Sequence, residues 1–352
     1  MTESKLDQKT QKLLHSTASN IDALLNHAHA FEGLDIAPAE FSEAKFKATA
    51  KDLASAIDKE ITYMIIACKP PARATDIETM CPKINAGFFQ LVQQLCRVPK
   101  CAGREYLKAV RKAICWTMVS AVDLLNSFID DKVLIANAVF ADLKYMQRAG
   151  VYWEHCKAIS QIPEDNRAAV ALTWSLQVGD LVKDAAEELC ELLKSAEDKS
   201  GVSDSNNPAD DSSSDESMDD FGDDLPAERL EEGKRIEKLV QIAKVSCNKV
   251  GLRCIRDCKT LDEEHVVWLD RLVDLGKPVA RAVDDLIVAL QVEESEGSWR
   301  DCTRQEVEKL QHAIRGLLTL AITFVEDSHL LWFENCRKDL GIFKGMAEEV
   351  VR

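Results

Sequence analysis

Glycine and proline are scarce in this chain, 14 and 9 among 352 residues. That scarcity excludes a fold built on many tight turns, which depend on both residue types. Long apolar runs are missing too. The best stretch, residues 317–325, is about half of the ~20 residues a membrane-spanning helix needs. Residues 1–10 are polar and lack the apolar core of a secretory signal. No dense cluster of Lys and Arg exists, and the formal charge is −16, so a phosphate backbone would be repelled and direct nucleic-acid binding is not expected. A Gly-x-Gly-x-x-Gly turn and a Gly-x4-Gly-Lys-Ser/Thr phosphate loop are both lacking. The seven histidines are scattered outside any nucleophile motif. These absences leave an enzymatic reading without a candidate residue: no catalytic, cofactor or metal site is predicted.

What the chain has is helical material. Hydrophobic residues reach 46%, enough for a sizeable core. Apolar side chains recur at steps of three and four. Phe46, Ala50, Leu53, Ile57, Ile61, Met64 and Cys68 form one such stripe. It is closed by Lys69-Pro70-Pro71, because proline cannot continue a helix. A helix over 6–31 precedes it, and another is expected from Ile84, with Cys81-Pro82 interrupting its start. Tyr106, Val110, Ile114, Met118, Ala121, Leu125 and Phe128 mark a long fourth helix, and Gly150 is expected to split the region after it. From Ile162-Pro163 a helix should run to about residue 194.

The second half is patterned by Ile236, Leu239, Ala243, Cys247, Val250, Cys254 and Cys258. Thr260-x-x-Glu263 and Thr303-x-x-Glu306 read as capping boxes opening the next two helices, and a kink is expected at Pro278. A last helix begins near Leu330. No strand is predicted. The expected fold class is all-α: a two-part antiparallel helical bundle with long helices, residues 1–197 and 228–352, joined by a disordered acidic linker over 198–227.

That linker is the most distinctive local feature. Between Gly201 and Ala227 lie nine acidic residues and no Lys or Arg, so −9 of the total charge sits there. Such a segment buries too little to offset its ordering entropy. Ser212, Ser213 and Ser217 each have an acid three positions on (Asp215, Glu216 and Asp220), the pattern of an acidophilic kinase site. Met218, Phe221 and Leu225 interrupt the acids, which leaves a short docking segment open beside the plain tether.

Other constellations read as packing. Twelve cysteines in a long, loop-poor chain are expected as reduced thiols of a cytosolic or nuclear protein. Cys247, Cys254 and Cys258 share a helical face but lack the paired short spacing and fourth ligand of structural zinc. Glu326-x-x-His329 and a looser Asp262-x-x-His265 are half of a di-metal signature, placed at expected helix ends. Leu310, Leu317, Phe324 and Leu331 have heptad spacing, but the run crosses an expected break at Asp327-Ser328, so it reads as bundle core. Trp116, Trp153, Trp174 and Trp268 are expected to be structural.

At the centre of the chain, Gln161-Ile162-Pro163-Glu164-Asp165-Asn166-Arg167-Ala168-Ala169, continuing to Val182-Lys183-Asp184-Ala185, resembles the cyclin-D-binding, or Maid-like, protein family. Asp219-Asp220-Phe221-Gly222 follows in the acidic stretch, and Leu272-Val273-Asp274 with Val283-Asp284-Asp285-Leu286 resemble its C-terminal half. The resemblance implies a two-part helical, non-catalytic protein of cytoplasm and nucleus. It would bind D-type cyclins or helix–loop–helix transcription regulators and restrain cell-cycle progression and transcription. No family residues are defined well enough to carry over as a site. An adhesion or cytoskeletal adaptor of the vinculin and catenin type is the alternative, since bundles serve both roles.

Overall fold

The computed structural model describes residues 6–35, 41–69, 72–129, 145–201, 225, 229–291 and 299–340. Among these the protein is all-α, and the one extended pairing is an isolated bridge between Leu34 and Pro99. Two compact units form, Met1–Ala169 and Val170–Arg352.

The first unit contains α1 (Gln8–Ala30), α2 (Glu43–Cys68), α3 (Ala74–Leu95), α4 (Arg104–Asn126) and α5 (Tyr145–Ser160). Helix α1 packs on α3 and α4, α2 on α3 and α5, and α4 on α5. The predicted stripes supply this core. Leu14, Ile21, Phe46, Ile57, Ile61, Met64, Val110, Ile114 and Met118 are all buried, each large aliphatic contributing roughly 1.5–3 kcal/mol. Two expectations fail here. Helix α3 begins at Ala74, ten residues before Ile84, with Pro82 inside it. An interior proline costs about 3 kcal/mol, and burial of Ile77 and Cys81 on the preceding turn offsets a loss of that size. Helix α5 passes through Gly150 without a break. Residues 130–144 lie outside the described residues.

The second unit takes in the end of α6 (Asn166–Trp174), then α7 (Asp180–Gly201), α8 (Leu230–Lys249), α9 (Glu263–Gln291), α10 (Trp299–Ala321) and α11 (Asp327–Asp339). Helix α7 packs on α8 and α9, α9 on α10, and α10 on α11. The sequence reading divides the bundles after residue 197, whereas the compact units divide inside α6. The reason is that Val178, Val182, Ala185, Leu189 and Leu193 share one core with α8 and α9.

The linker assignment over 198–227 also needs correcting at both edges. Residues 198–201 continue α7. Leu225 is 5% exposed and belongs to the second core. Ser212, Ser213, Ser217 and the other residues of 202–224 and 226–228 are outside the described residues.

Short π-helical turns adjoin two helices. One, Ser175–Gly179, joins α6 to α7, and the other, Val250–Arg256, ends α8. Both capping boxes fail. Asp262, not Thr260, caps α9 by accepting the His265 amide at 2.9 Å. Thr303 lies buried within α10 and bonds the Ala289 carbonyl at 3.4 Å, because α10 starts four residues earlier, at Trp299. Helix α9 runs through Pro278. The break before α11 falls at 322–326, ahead of the Asp327-Ser328 expected.

Candidate partner-binding surfaces

The central block that carries the resemblance is structural. Asp165 accepts the Ala168 amide at 2.7 Å and so caps α6. The next residue, Asn166, reaches the start of another helix. Its Oδ1 accepts the Tyr106 amide, in the first turn of α4, at 2.9 Å. The residue that would normally supply such a cap is Gly103, which has no side chain and a φ of +101°. A Cβ on Gly103 would fall 2.1 Å from the Asn166 Cγ. Glycine and asparagine therefore fit as one joint: the absent side chain makes room for the acceptor that replaces it. Farther on, Val182, Ala185, Leu272, Val273, Val283 and Leu286 are core residues, while Lys183 and Asp184 are exposed.

The cysteines and the Asp/Glu–His pairs are equally architectural. All twelve cysteines are free thiols. Burial pushes Cys247 and Cys254 up to about 12, which keeps them protonated and poorly nucleophilic. Cys258 donates to the Thr260 carbonyl at 3.1 Å, and Cys156, beside His155, donates to the Ala54 carbonyl at 3.5 Å. Among the described residues no three His, Cys, Asp or Glu side chains are grouped to hold a metal ion. Asp262 pairs with His265 at 2.7 Å, and Glu326 precedes α11 and pairs with Lys259 at 2.8 Å. Leu310 and Leu317 are core, but Phe324 sits in the turn after α10 and Leu331 is 67% exposed, so the heptad run is neither zipper nor wholly core. No described helix is long and apolar enough to cross a membrane.

What remains is surface. In the first unit Trp116 and Trp153 are partly exposed. Trp116 stands edge-on to His155 at 5.2 Å, and Trp153 donates to the Thr62 hydroxyl at 3.2 Å. Desolvation holds His155 below the usual imidazole range. Met146, Gly150 and Trp153 fall on the outward face of α5.

In the second unit two concavities open between helices. One, of about 520 Å³, runs between α7 and α8 and includes Cys190, Lys194, Lys234 and Lys238. The other, of about 240 Å³, lies between the two π-turns. Its floor is Trp174, 4% exposed, whose indole N–H is taken by the Cys247 carbonyl at 3.3 Å. Neither was legible in the sequence, since each joins residues some 40–80 positions apart.

The chain is similar to known proteins over most of its length. The family model described as Grap2 and cyclin-D-interacting, N-terminal, matches residues 49–195. Cyclin-D1-binding protein 1 homolog of Danio rerio is 27% identical over 271 residues, 71% of this chain and 70% of its own. Cyclin-D1-binding protein 1 of Bos taurus is 24% identical over 298 residues, covering 82% and 79%. The Homo sapiens protein of that name is 23% identical over 266 residues, covering 71% and 69%. Matches of this extent span both compact units, and the chain is similar over most of its length to proteins of the cyclin-D-binding family.

Proposed function

We propose that this chain is a non-catalytic regulatory protein that binds a D-type cyclin through the helical surfaces of its two units. The observation that carries this reading is the match, across most of both lengths, to proteins named as cyclin-D1-binding. The absence of any motif for nucleotide, metal or covalent chemistry in the sequence supports the non-catalytic part. In this reading the protein restrains cell-cycle progression and transcription, works in cytoplasm and nucleus, and also meets helix–loop–helix regulators. Phosphorylation at Ser212, Ser213 and Ser217 adjusts access, each phosphate adding roughly 1.5–2 negative charges. The adhesion-adaptor alternative is not favoured, because the similar proteins carry names of cyclin binders.

The test is direct. Purified full-length chain is titrated with a purified D-type cyclin from the same cells, using an A-type cyclin as control. Saturable binding of the D-type cyclin alone is expected. No heat and no co-elution at micromolar concentrations would remove the reading.

A further inference from the structure

Most side chains around the second unit's π-turns are explained by packing, but the cleft between those turns is not. Rare π-turns are often found where a helix serves a function, and here two of them border one opening. Ser175–Gly179 supplies Gly179 on one wall. Val250–Arg256 supplies Gly251 and Leu252 on the other. Trp174 is fixed between them before any ligand arrives. Beyond its bond to Cys247, a Cβ on Gly251 would come within 3.0 Å of the indole nitrogen. One on Gly276 would come within 2.5 Å of the benzo ring. The indole cannot swing, so the cleft is preformed.

Charge and size narrow the ligand. Lys183 and Arg256 line the opening and both are exposed. Arg256 makes no ion pair among the described residues, and Lys183 reaches Glu187 only at 3.8 Å. The lining carboxylate, Asp180, is held by the Ser175 hydroxyl at 3.3 Å. Asp257, at the end of the second turn, is occupied by Arg253 at 2.9 Å. In a chain of net charge −16 this is a locally cationic opening over an apolar floor. A volume of about 240 Å³ falls below the roughly 300–1,000 Å³ of sites for whole small ligands. It suits one or two side chains.

We propose that this cleft docks a short acidic–apolar peptide segment of a partner protein. A Leu or Phe side chain rests on Trp174 and Leu252, and a neighbouring Asp or Glu carboxylate is held by Lys183 and Arg256. Leu172 and Leu176 are exposed on the same helical run. The proposal rests on the reading of this protein as a binding protein and adds the chemistry of one docking site.

The experiment uses the full chain labelled with 5-fluorotryptophan, the Trp174 fluorine resonance being assigned with Trp174→Phe. The probe is acetyl-Asp-Glu-Leu-Phe-Glu-Asp-amide, and its control is the neutral acetyl-Asn-Gln-Leu-Phe-Gln-Asn-amide. The acidic peptide should move the Trp174 resonance saturably, with half-saturation at or below about 1 mM. The neutral peptide should need at least about tenfold more, as should the acidic peptide with Lys183→Gln/Arg256→Gln. The other five tryptophan resonances should hold their positions in that double variant, which shows that it folds. An unmoved Trp174 resonance, an equal response to the neutral peptide, or an equal response to inorganic phosphate overturns the proposal. A D-type cyclin titration on the same sample keeps the two readings apart. Cyclin failing to bind the unaltered chain removes the proposed function, whereas a silent Trp174 removes this cleft alone.

Discussion

Replacing Asn166 by Ala removes the acceptor that Gly103 cannot provide. The Tyr106 amide then loses its 2.9 Å partner in surroundings where Tyr106 and Asn166 are both buried. Loss of a helix cap costs about 0.5–2 kcal/mol, and a buried unpaired amide about 1–3 kcal/mol. The two figures describe one bond, so they overlap and do not add. The expected cost is about 2 kcal/mol, confined to the first unit. Gly103→Ala should cost more, about 3–4 kcal/mol. It imposes a strain of about 1–3 kcal/mol at φ +101°, and its Cβ expels the Asn166 side chain. Because both changes break the same joint, the double variant should resemble Gly103→Ala alone, giving a coupling of about 1–2 kcal/mol. A chain of two units does not guarantee two-state melting, so the suitable assay is hydrogen exchange of α4 amides in the full protein. A cost of 2 kcal/mol corresponds to exchange about thirtyfold faster. Exchange within about twofold of the parent in Asn166→Ala, or strict additivity in the double variant, would refute the joint.

Six further outcomes follow from the structure and the sequence. Gly276→Ala should cost about 1–3 kcal/mol, since its Cβ would sit 2.5 Å from a Trp174 ring that cannot move. Gly150→Ala, where nothing lies within 4 Å, should raise the melting temperature. Leu225→Ala should cost about 2–4 kcal/mol in urea unfolding of the second unit. Deleting 202–224 while keeping Leu225 should leave that unit's midpoint unchanged. Burial raises the Asp123 carboxyl, its attraction to Arg148 only partly countering this, and its Oδ2 has no hydrogen-bond partner among the described residues. A raised folded value means a contribution present below the unfolded value near 3.8 and lost as pH climbs through the folded one. Asp123→Asn should therefore raise the melting temperature at pH 7 and leave it nearly unchanged at pH 3, and a pH-independent shift would contradict the assignment. Treatment with an acidophilic kinase should phosphorylate the chain, and Ser212→Ala/Ser213→Ala/Ser217→Ala should abolish incorporation as read by mass spectrometry.

How much of this was legible depends on the distance over which each feature is encoded. Phe46 to Cys68 announces α2 because a buried face and a helical period coincide within one segment. The unit boundary at Ala169 and Val170 is silent, because α6, the π-turn and α7 form a continuous helical path. Trp174, Val178 and Val182 stay buried at steps of four across it, a spacing that an α-helix and a single π-turn satisfy alike. The capping boxes misled because Thr-x-x-Glu fits within a few residues, whereas where a helix starts is decided by tertiary packing. Burial of Trp299 and Thr303 sets the start of α10, and the Asp262 side chain takes the cap at α9. The cleft and the Asn166 joint were invisible for a third reason, since each needs a glycine to leave space for a residue distant in sequence. Asp165, Asn166, Val182 and Ala185 are held by caps and close packing, where a change of one heavy atom is felt. These residues report the fold. The partner chemistry is better sought where the chain exposes what its core does not need: Lys183 on α7, and Leu252 and Arg256 on the second π-turn.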